Sequence, residues 1–442
     1  MLKLSLRSLL LIGLSVATCA MAGEPPSRPG VNAPELARLG THAVGVRTLV
    51  LVDRDQPDVL AFDPKSGVAP KRDRSLTVDL WYPAQPAKGA VPETYSASME
   101  SEPPAPPARF GMPGIAVRDA QPAAGRFPLV IVSHGYGNVT IGLSWLTENL
   151  ASKGYVVAAI RHEDAYFNPS GLPHALLHRP LDIAFVAREL QRSLAGTGTV
   201  DPTRTALIGY SMGGYGVLTA GGGILDPQGP AAGIVPGGIL KAYARGGASS
   251  DLARAPAVRA VVAISPAGGS LAAWGSNGLE GITAPLLLIA GDHDRTVDYA
   301  SGARAFFDVA THSNRYLLTF HNGGHALGLG PAPDEMRQHL WDEDWFEDPV
   351  WRKERLIGIN LHFITAFLDR YVKNDASRSA YLDGLVVESS QGEWQAPAQT
   401  AWGAYSPGGE GITLWKGFPR RHAEGLSLMH QDVLVAPIGD RP

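Results

Sequence analysis

Cysteine is almost absent: the only one among 442 residues is Cys19, inside an N-terminal stretch with the marks of a removable leader. A chain with one thiol forms no internal disulfide, and without that leader it has no thiol nucleophile or thiolate metal ligand. Charge of one sign is also missing, since 38 Lys and Arg stand against 42 Asp and Glu for a formal net charge of -4. Such a balance offers no basic field to phosphates, which excludes nucleic acid as the main partner and gives weight to a small-molecule role. Long hydrophobic runs are lacking too. Leu9 to Ala17 falls short of the roughly 20 apolar residues a membrane span needs, and no later stretch reaches about 18 uninterrupted apolar residues, so no stable membrane insertion is expected.

What is present is 45% hydrophobic and 18% charged residues, the balance of a globular protein with a sizeable core. Lys3 and Arg7 precede the short apolar run, and Ala20-Met21-Ala22 fits a small-x-small cleavage site, so residues 1–22 read as a signal peptide cleaved after Ala22. The expectation is an exported protein, periplasmic or secreted. Val16-Ala17-Thr18-Cys19 loosely resembles a lipoprotein box but has Thr where a smaller residue is usual, so soluble export is favoured over anchoring at Cys19.

Residues 23–43, rich in Pro, Gly and Ala, read as a flexible linker. Val44 to Val52 and Leu76 to Tyr82 suit antiparallel strands at a sheet edge, and prolines between Pro83 and Phe127 mark a surface loop. One rhythm then repeats, a short Val/Ile/Leu run followed by an amphipathic segment. The strands are Leu129 to Ser133, Tyr155 to Ile160, Thr205 to Gly209, Val258 to Ile264, Pro285 to Ala290 and Arg315 to Phe320. The helices are Ile141 to Lys153, Leu181 to Leu194, Met212 to Gly221, Tyr299 to Thr311 and Trp351 to Val372. Doubly buried strands alternating with helices predict one α/β domain over residues 44–373, with a mostly parallel central sheet flanked by helices. A glycine-rich insertion occupies 221–256, and 374–442 is a C-terminal extension without helical period.

The sharpest local pattern is Gly209-Tyr210-Ser211-Met212-Gly213, after an apolar strand and before a helix. In G-x-S-x-G a serine occupies a strained strand-to-helix turn with its hydroxyl clear of the sheet. Serine needs a base, and the base needs an orienting group. Two loops at strand ends offer them: Gly291-Asp292-His293-Asp294-Arg295-Thr296-Val297 and His321-Asn322-Gly323-Gly324-His325. Asp292 and Asp294 compete for one role, His321 and His325 for the other, and His321 lacks glycines before it to turn the loop back toward the serine. Asp298 suits a cap for the helix near Tyr299. The N–H of Met212, just after the serine, and the N–H of Tyr136, in the loop after Leu129 to Ser133, are the candidate oxyanion donors.

From about Leu76 to Tyr371 the chain resembles α/β-hydrolases of the dienelactone-hydrolase-like and platelet-activating-factor-acetylhydrolase-like group, and is distantly similar to bacterial polyester hydrolases. Ser133-His134-Gly135-Tyr136-Gly137, the Ser211 elbow, Gly-x-x-Asp-x-x-Val over Gly291 to Val297, and Gly324-His325 carry the resemblance. It implies an α/β-hydrolase fold and a Ser-His-Asp triad of Ser211, His325 and Asp294, with Asp292 as the rival acid. The reaction implied is carboxylic ester hydrolysis through an acyl-enzyme, on a small-molecule or lipid-like ester, with no cofactor and no metal. Loops after the strands also bring Trp341 or Trp345, after His325, toward the site, and from the polyester hydrolases the resemblance carries over Tyr136 and Trp274 as substrate-flanking aromatics, although Trp274 lies eight residues beyond Pro266. The same triad would serve a serine peptidase or amidase, but the gating domain of oligopeptidases is absent. A non-catalytic binding protein on this fold is the other alternative.

Three further clusters read blandly. Arg161-His162-Glu163-Asp164 suits loop hydrogen bonding, His174 and His178 lack an adjoining carboxylate for a metal, and the acidic run Trp341 to Asp348 reads as a solvated face.

Overall fold

The computed structural model describes residues 29–164, 169–196, 198–393, 412–419 and 422–434. The signal peptide, Cys19 and the first part of the linker lie outside the described residues. Runs of Val, Ile and Leu form strands buried on both faces, because alternate side chains enter cores on opposite sides of one sheet. In β7 (Phe127–Ser133), Leu129 and Ile131 join one core while Val130 and Val132 join the other. The strands are β1 (Ala43–Pro57), β2 (Lys71–Gln85), β3 (Thr94–Met99), β4 (Ala108–Pro113), β5 (Val117–Arg118), β6 (Gln121–Pro122), β7, β8 (Val156–Arg161), β9 (Val200–Tyr210), β10 (Val258–Ile264), β11 (Leu286–Gly291), β12 (Arg315–Phe320) and β13 (Leu426–Gln431). β3 and β4 form a separate hairpin, and the other eleven make one sheet ordered β13-β12-β11-β10-β9-β7-β8-β2-β1-β5, with β6 on β2. From β12 to β8 neighbours are parallel; β13, β2 and β1 add antiparallel edges.

One side of the sheet is covered by α1 (Ser144–Ser152) and α7 (Lys353–Tyr371), the other by α2 (Leu172–Ala195), α3 (Met212–Ala220) and α5 (Ala305–Val309). α4 (Pro230–Ile234) belongs to the glycine-rich insertion, and α6 (Leu340–Glu343) lies between β12 and α7. The parallel strands and α7 fall where the periodicity puts them, but α2 begins nine residues before Leu181. Pro180 reads as a breaker because it lacks an N–H and strands the carbonyl of Leu176. In the fold that carbonyl accepts a bond from the Tyr215 hydroxyl of α3 at 2.8 Å, so the helix runs through the proline. The helix expected over Tyr299 to Thr311 is instead a π turn, Ala300–Arg304, broken at Gly302 and followed by the short α5.

Both termini of the described chain are docked. Glu35 N–H bonds Gly417 O at 2.7 Å, Ala37 is fully buried, and the Leu36 carbonyl accepts from Lys153 Nζ at 2.6 Å, so the later part of the 23–43 stretch packs on the domain. In the extension, Trp415 and Phe418 pack on Phe363 of α7 with centroids 5.7 and 5.9 Å apart, and β13 pairs with β12.

A second tie holds the extension to the strand ends. His321 follows β12, and its Nδ1 lies 2.9 Å from Asp292 Oδ2 while its Nε2 lies 2.9 Å from Glu388 Oε2. Both nitrogens can donate only in the imidazolium form. Burial opposes that charge, but the bonds to Asp292 and Glu388 outweigh it and raise the His321 pKa above its ordinary value. A histidine with a raised folded pKa contributes stability fully below its unfolded value of ~6.5 and loses it as pH rises through the folded value. Amide exchange across β13, corrected for its intrinsic pH dependence, should therefore quicken as pH climbs past neutrality. Glu388→Gln should flatten that dependence.

Candidate active site

β9 and β7 are adjacent in the sheet although β8 lies between them in the chain, so the strand order reverses there and a crevice opens at their carboxyl ends. Ser211 leaves β9 into that crevice with φ 54° and ψ -116°, a conformation rare for a side-chain-bearing residue. Two glycines make it fit. A Cβ on Gly213 would lie 2.0 Å from the Ser133 carbonyl oxygen, and one on Gly209 would lie 2.1 Å from the Gly213 carbonyl oxygen. The Ser211 N–H bonds the Ile264 carbonyl at 2.9 Å, and α3 begins at Met212, directing its free N-terminal N–H groups and positive dipole end at the same space.

His325 Nε2 lies 3.0 Å from Ser211 Oγ, and His325 Nδ1 lies 2.7 Å from Asp294 Oδ2. Asp294 is buried, and its other oxygen accepts the N–H groups of Thr296 and Val297 at 2.9 and 3.2 Å. The carboxylate is thus fixed to receive an Nδ1–H, which leaves the Nε2 lone pair for the serine proton. The rivals pair with each other: Asp292 meets His321 and the Asn322 N–H, away from Ser211. Asp298 Oδ1 accepts from Ser301 N at 2.8 Å.

The loop after β7 carries Tyr136. His134 Nδ1 donates to the Gly135 carbonyl at 2.7 Å and its Nε2 accepts the His162 N–H, while burial and the neighbouring Arg179 push its pKa down to about 4. It is a neutral loop brace. The buried Arg179 guanidinium donates to the His134 carbonyl, to the Gly135 carbonyl at 3.0 Å, to Ser133 Oγ at 3.1 Å and to Asp164 Oδ2 at 2.6 Å. Burial alone would raise the Asp164 pKa, yet Arg179, His162 and His134 hold it below its ordinary value. The His174 and His178 rings lie 4.4 Å apart, tilted at 42°, beside this network. His174 meets Glu163 at 3.3 Å, and His178 bonds the Pro57 carbonyl at 3.0 Å. Among the described residues no cluster of His, Cys, Asp and Glu is arranged to hold a metal ion.

A cavity of about 390 Å³ opens over Ser211 and His325, walled by Tyr136, Asn138, Tyr210, Thr296, Trp341, Asp344 and Trp345 among others. Trp274 is not on this wall, contrary to the carry-over from polyester hydrolases. Its ring is buried against Tyr215 and Phe306, and its N–H bonds Thr219 Oγ1 at 3.1 Å. The eight residues beyond Pro266 take it under the sheet instead of over the crevice.

The segment read as a solvated acidic face supplies the tryptophans and braces the histidine loop. Asp342 is buried and accepts from Ser101 Oγ at 2.6 Å and Glu102 N–H at 2.7 Å. Asp348 takes the Gly324 N–H at 2.6 Å, and Lys353 Nζ donates to the Ala326 carbonyl at 2.7 Å, so both sides of His325 are held. Burial pushes the Lys353 ammonium down to about 8 against the pull of Glu347 and Asp348. Charge density alone did not separate buried carboxylates from solvated ones. Asp342 and Asp348 differ from their neighbours only in what the fold brings to them.

Arg179 yields a stability prediction. Arg179→Met strands the Asp164 charge in the interior and should cost roughly 3–5 kcal/mol in urea unfolding, while adding Asp164→Asn should recover part of that loss. Equal instability of the single and double variants would contradict a role set by the buried charge.

With the geometry in place, comparison with known proteins identifies the scaffold. Residues 107–225, which contain both the Tyr136 loop and the Ser211 elbow, match the PET hydrolase-like family model. Over 89 residues the chain is 33% identical to cutinase est2 of Thermobifida alba, a match spanning 20% of this chain and 28% of that protein's length. A ferulic acid esterase from Streptomyces cinnamoneus superposes with a TM-score of 0.50 at 23% identity, covering 80% of this chain and 94% of the esterase. The chain is therefore an α/β-hydrolase-fold protein, similar to the polyester hydrolases, with the family-model match lying over residues 107–225.

Proposed function

We propose that the chain is a serine hydrolase of carboxylic esters, with Ser211 as nucleophile, His325 as general base and acid, and Asp294 as the orienting carboxylate. The observation that carries this reading is the continuous array from Ser211 Oγ through His325 to the buried Asp294, at 3.0 and 2.7 Å, opening on a cavity. The similarity to a cutinase and to the PET hydrolase-like family supports an ester as the bond cleaved.

In the first half-reaction Ser211 Oγ attacks the ester carbonyl carbon and its proton passes to His325 Nε2. Asp294, still ionised, balances the imidazolium. The tetrahedral oxyanion is received by the backbone N–H groups of Met212 and Tyr136, and losing one such donor costs about 2.7–4 kcal/mol of barrier lowering. Collapse breaks the bond to the alcohol oxygen, which takes the proton from His325. Water, deprotonated by the same nitrogen, then attacks the acyl-enzyme and frees the acid and Ser211. Tyr136 and Tyr210 offer apolar surface beside the reacting carbon, which suits small-molecule and lipid-like esters. Among the described residues no helix is long and apolar enough to cross a membrane. Export rests on the reading of residues 1–22.

Intact-mass measurement after fluorophosphonate treatment should show a single adduct on the wild type and none on Ser211→Ala, and the variant should lose turnover of short p-nitrophenyl esters. Asp294→Asn should lower kcat by about 10⁴ through the wrong imidazole tautomer. Asp292→Asn should stay near the wild-type rate. The reverse ranking of the two aspartates would overturn the assignment of Asp294, and a folded wild type that takes no adduct would overturn the hydrolase.

A further inference from the structure

The wall that α6 and its continuation build over Ser211 carries one charge that no group among the described residues balances. Trp341, Asp344 and Trp345 line the cavity together, at the three- and four-residue spacing that puts side chains on one helical face. The two indoles meet edge to face, 5.6 Å apart at 74°. The other acids of the segment are occupied: Asp342 by Ser101 and Glu102, Glu343 and Glu347 by Arg337 at 3.0 Å each, Asp348 by the Gly324 N–H. Asp344 is exposed, and among the described residues its carboxylate has no hydrogen-bond or ion-pair partner. Among the described residues no lysine or arginine lines the cavity. Arg295, next to the lining Thr296, is exposed and outside it, and His325 is committed to the buried Asp294.

Indole and phenol faces present negative potential to a cation, and a carboxylate beside them adds a full charge to a space partly screened from water. An ammonium group in this cavity therefore gains from both. A second carboxylate would be repelled by both. We propose that this wall selects substrates by charge, favouring esters that carry a cationic group next to the scissile carbonyl over neutral isosteres, and neutral isosteres over carboxylate-bearing ones. The proposal rests on the ester-hydrolase reading and names the substrate class for the same site.

The test uses three p-nitrophenyl benzoates bearing para trimethylammonio, tert-butyl or carboxylate groups, with each kcat/KM divided by the ester's own rate with hydroxide to remove substituent electronics. At low salt each step of the series should be worth about five- to twentyfold, shrinking at 0.5 M salt. Asp344→Asn should bring both ratios toward one and Asp344→Lys should invert them, while Glu343→Gln, already matched by Arg337, should leave them unchanged. Equal normalised rates in the wild type, or ratios that survive Asp344→Asn, would overturn the charge selection alone. Failure of all three esters with no fluorophosphonate labelling of Ser211 would bring down the hydrolase reading and this proposal with it.

Discussion

Backbone runs through the elbow where a side chain would otherwise stand, and this close approach is what the rest of the site depends on. The Ser133 carbonyl occupies the space of a Gly213 Cβ, which seats the end of β7 directly against the first turn of α3. That contact fixes the distance between the Tyr136 loop and the start of α3 at Met212. It also forces Ser211 into its positive φ, since the chain must turn from strand to helix in one residue. The strained residue is held by the sheet on one side, through Ile264, and by the Gly213 contact on the other.

Behind the elbow lies a second Ser-His-Asp relay, and comparing the two shows what separates chemistry from scaffolding. Ser133 Oγ is 2.9 Å from His162 Nε2, and His162 Nδ1 is 3.0 Å from Asp182 Oδ2. The residue types and the order of contacts match the array at Ser211. Ser133, however, is wholly buried and its oxygen also accepts from Arg179, while burial and the cations around it push the His162 pKa well down. Asp182 is held by Arg74. The hydroxyl has neither a cavity to attack into nor a base free to be charged, so the relay can only brace the loop. Buried ion pairs such as Arg179 with Asp164 add little net stability over apolar packing. Their geometric effect is to aim the His134 and Gly135 carbonyls inward, which leaves the following Tyr136 at the cavity.

The parts legible in the sequence are those governed by local rules. β10 and β12 end where the apolar runs end, because doubly buried strands need such runs along their whole length. Tyr215 rescuing the Leu176 carbonyl was not legible, because its bond to a residue 39 positions away is created by the packing of α3 on α2. Trp274 failed for a related reason: position after a strand says little about a side chain when the intervening loop is eight residues long. The acidic segment failed because a carboxylate's solvation depends on which backbone N–H groups reach it, and Gly324 and Glu102 come from distant loops. Trp341 and Trp345 were legible from their place after His325, and both line the cavity, two large aromatics four apart among acids. Such a stripe marks a helix with one face against something apolar.

The cavity wall and the His325 loop are joined through that segment. Asp348 holds the N–H ahead of His325, Lys353 holds the carbonyl behind it, and the cavity-lining Trp341, Asp344 and Trp345 lie in the same short stretch from Trp341 to Asp348. Pressure on the indoles therefore pushes on an element whose ends are tied to the β3–β4 connection at Ser101 and to the loop that carries His325. Ties of this kind hold His325 Nε2 at 3.0 Å from Ser211 Oγ. They also limit how far the wall can be reshaped, since moving Trp345 outward draws Asp348 with it and loosens the loop that carries His325. Side chains on the wall can therefore be exchanged more freely than its backbone can be moved, and position 344, whose carboxylate has no partner among the described residues, is where the charge of the wall can change without disturbing His325.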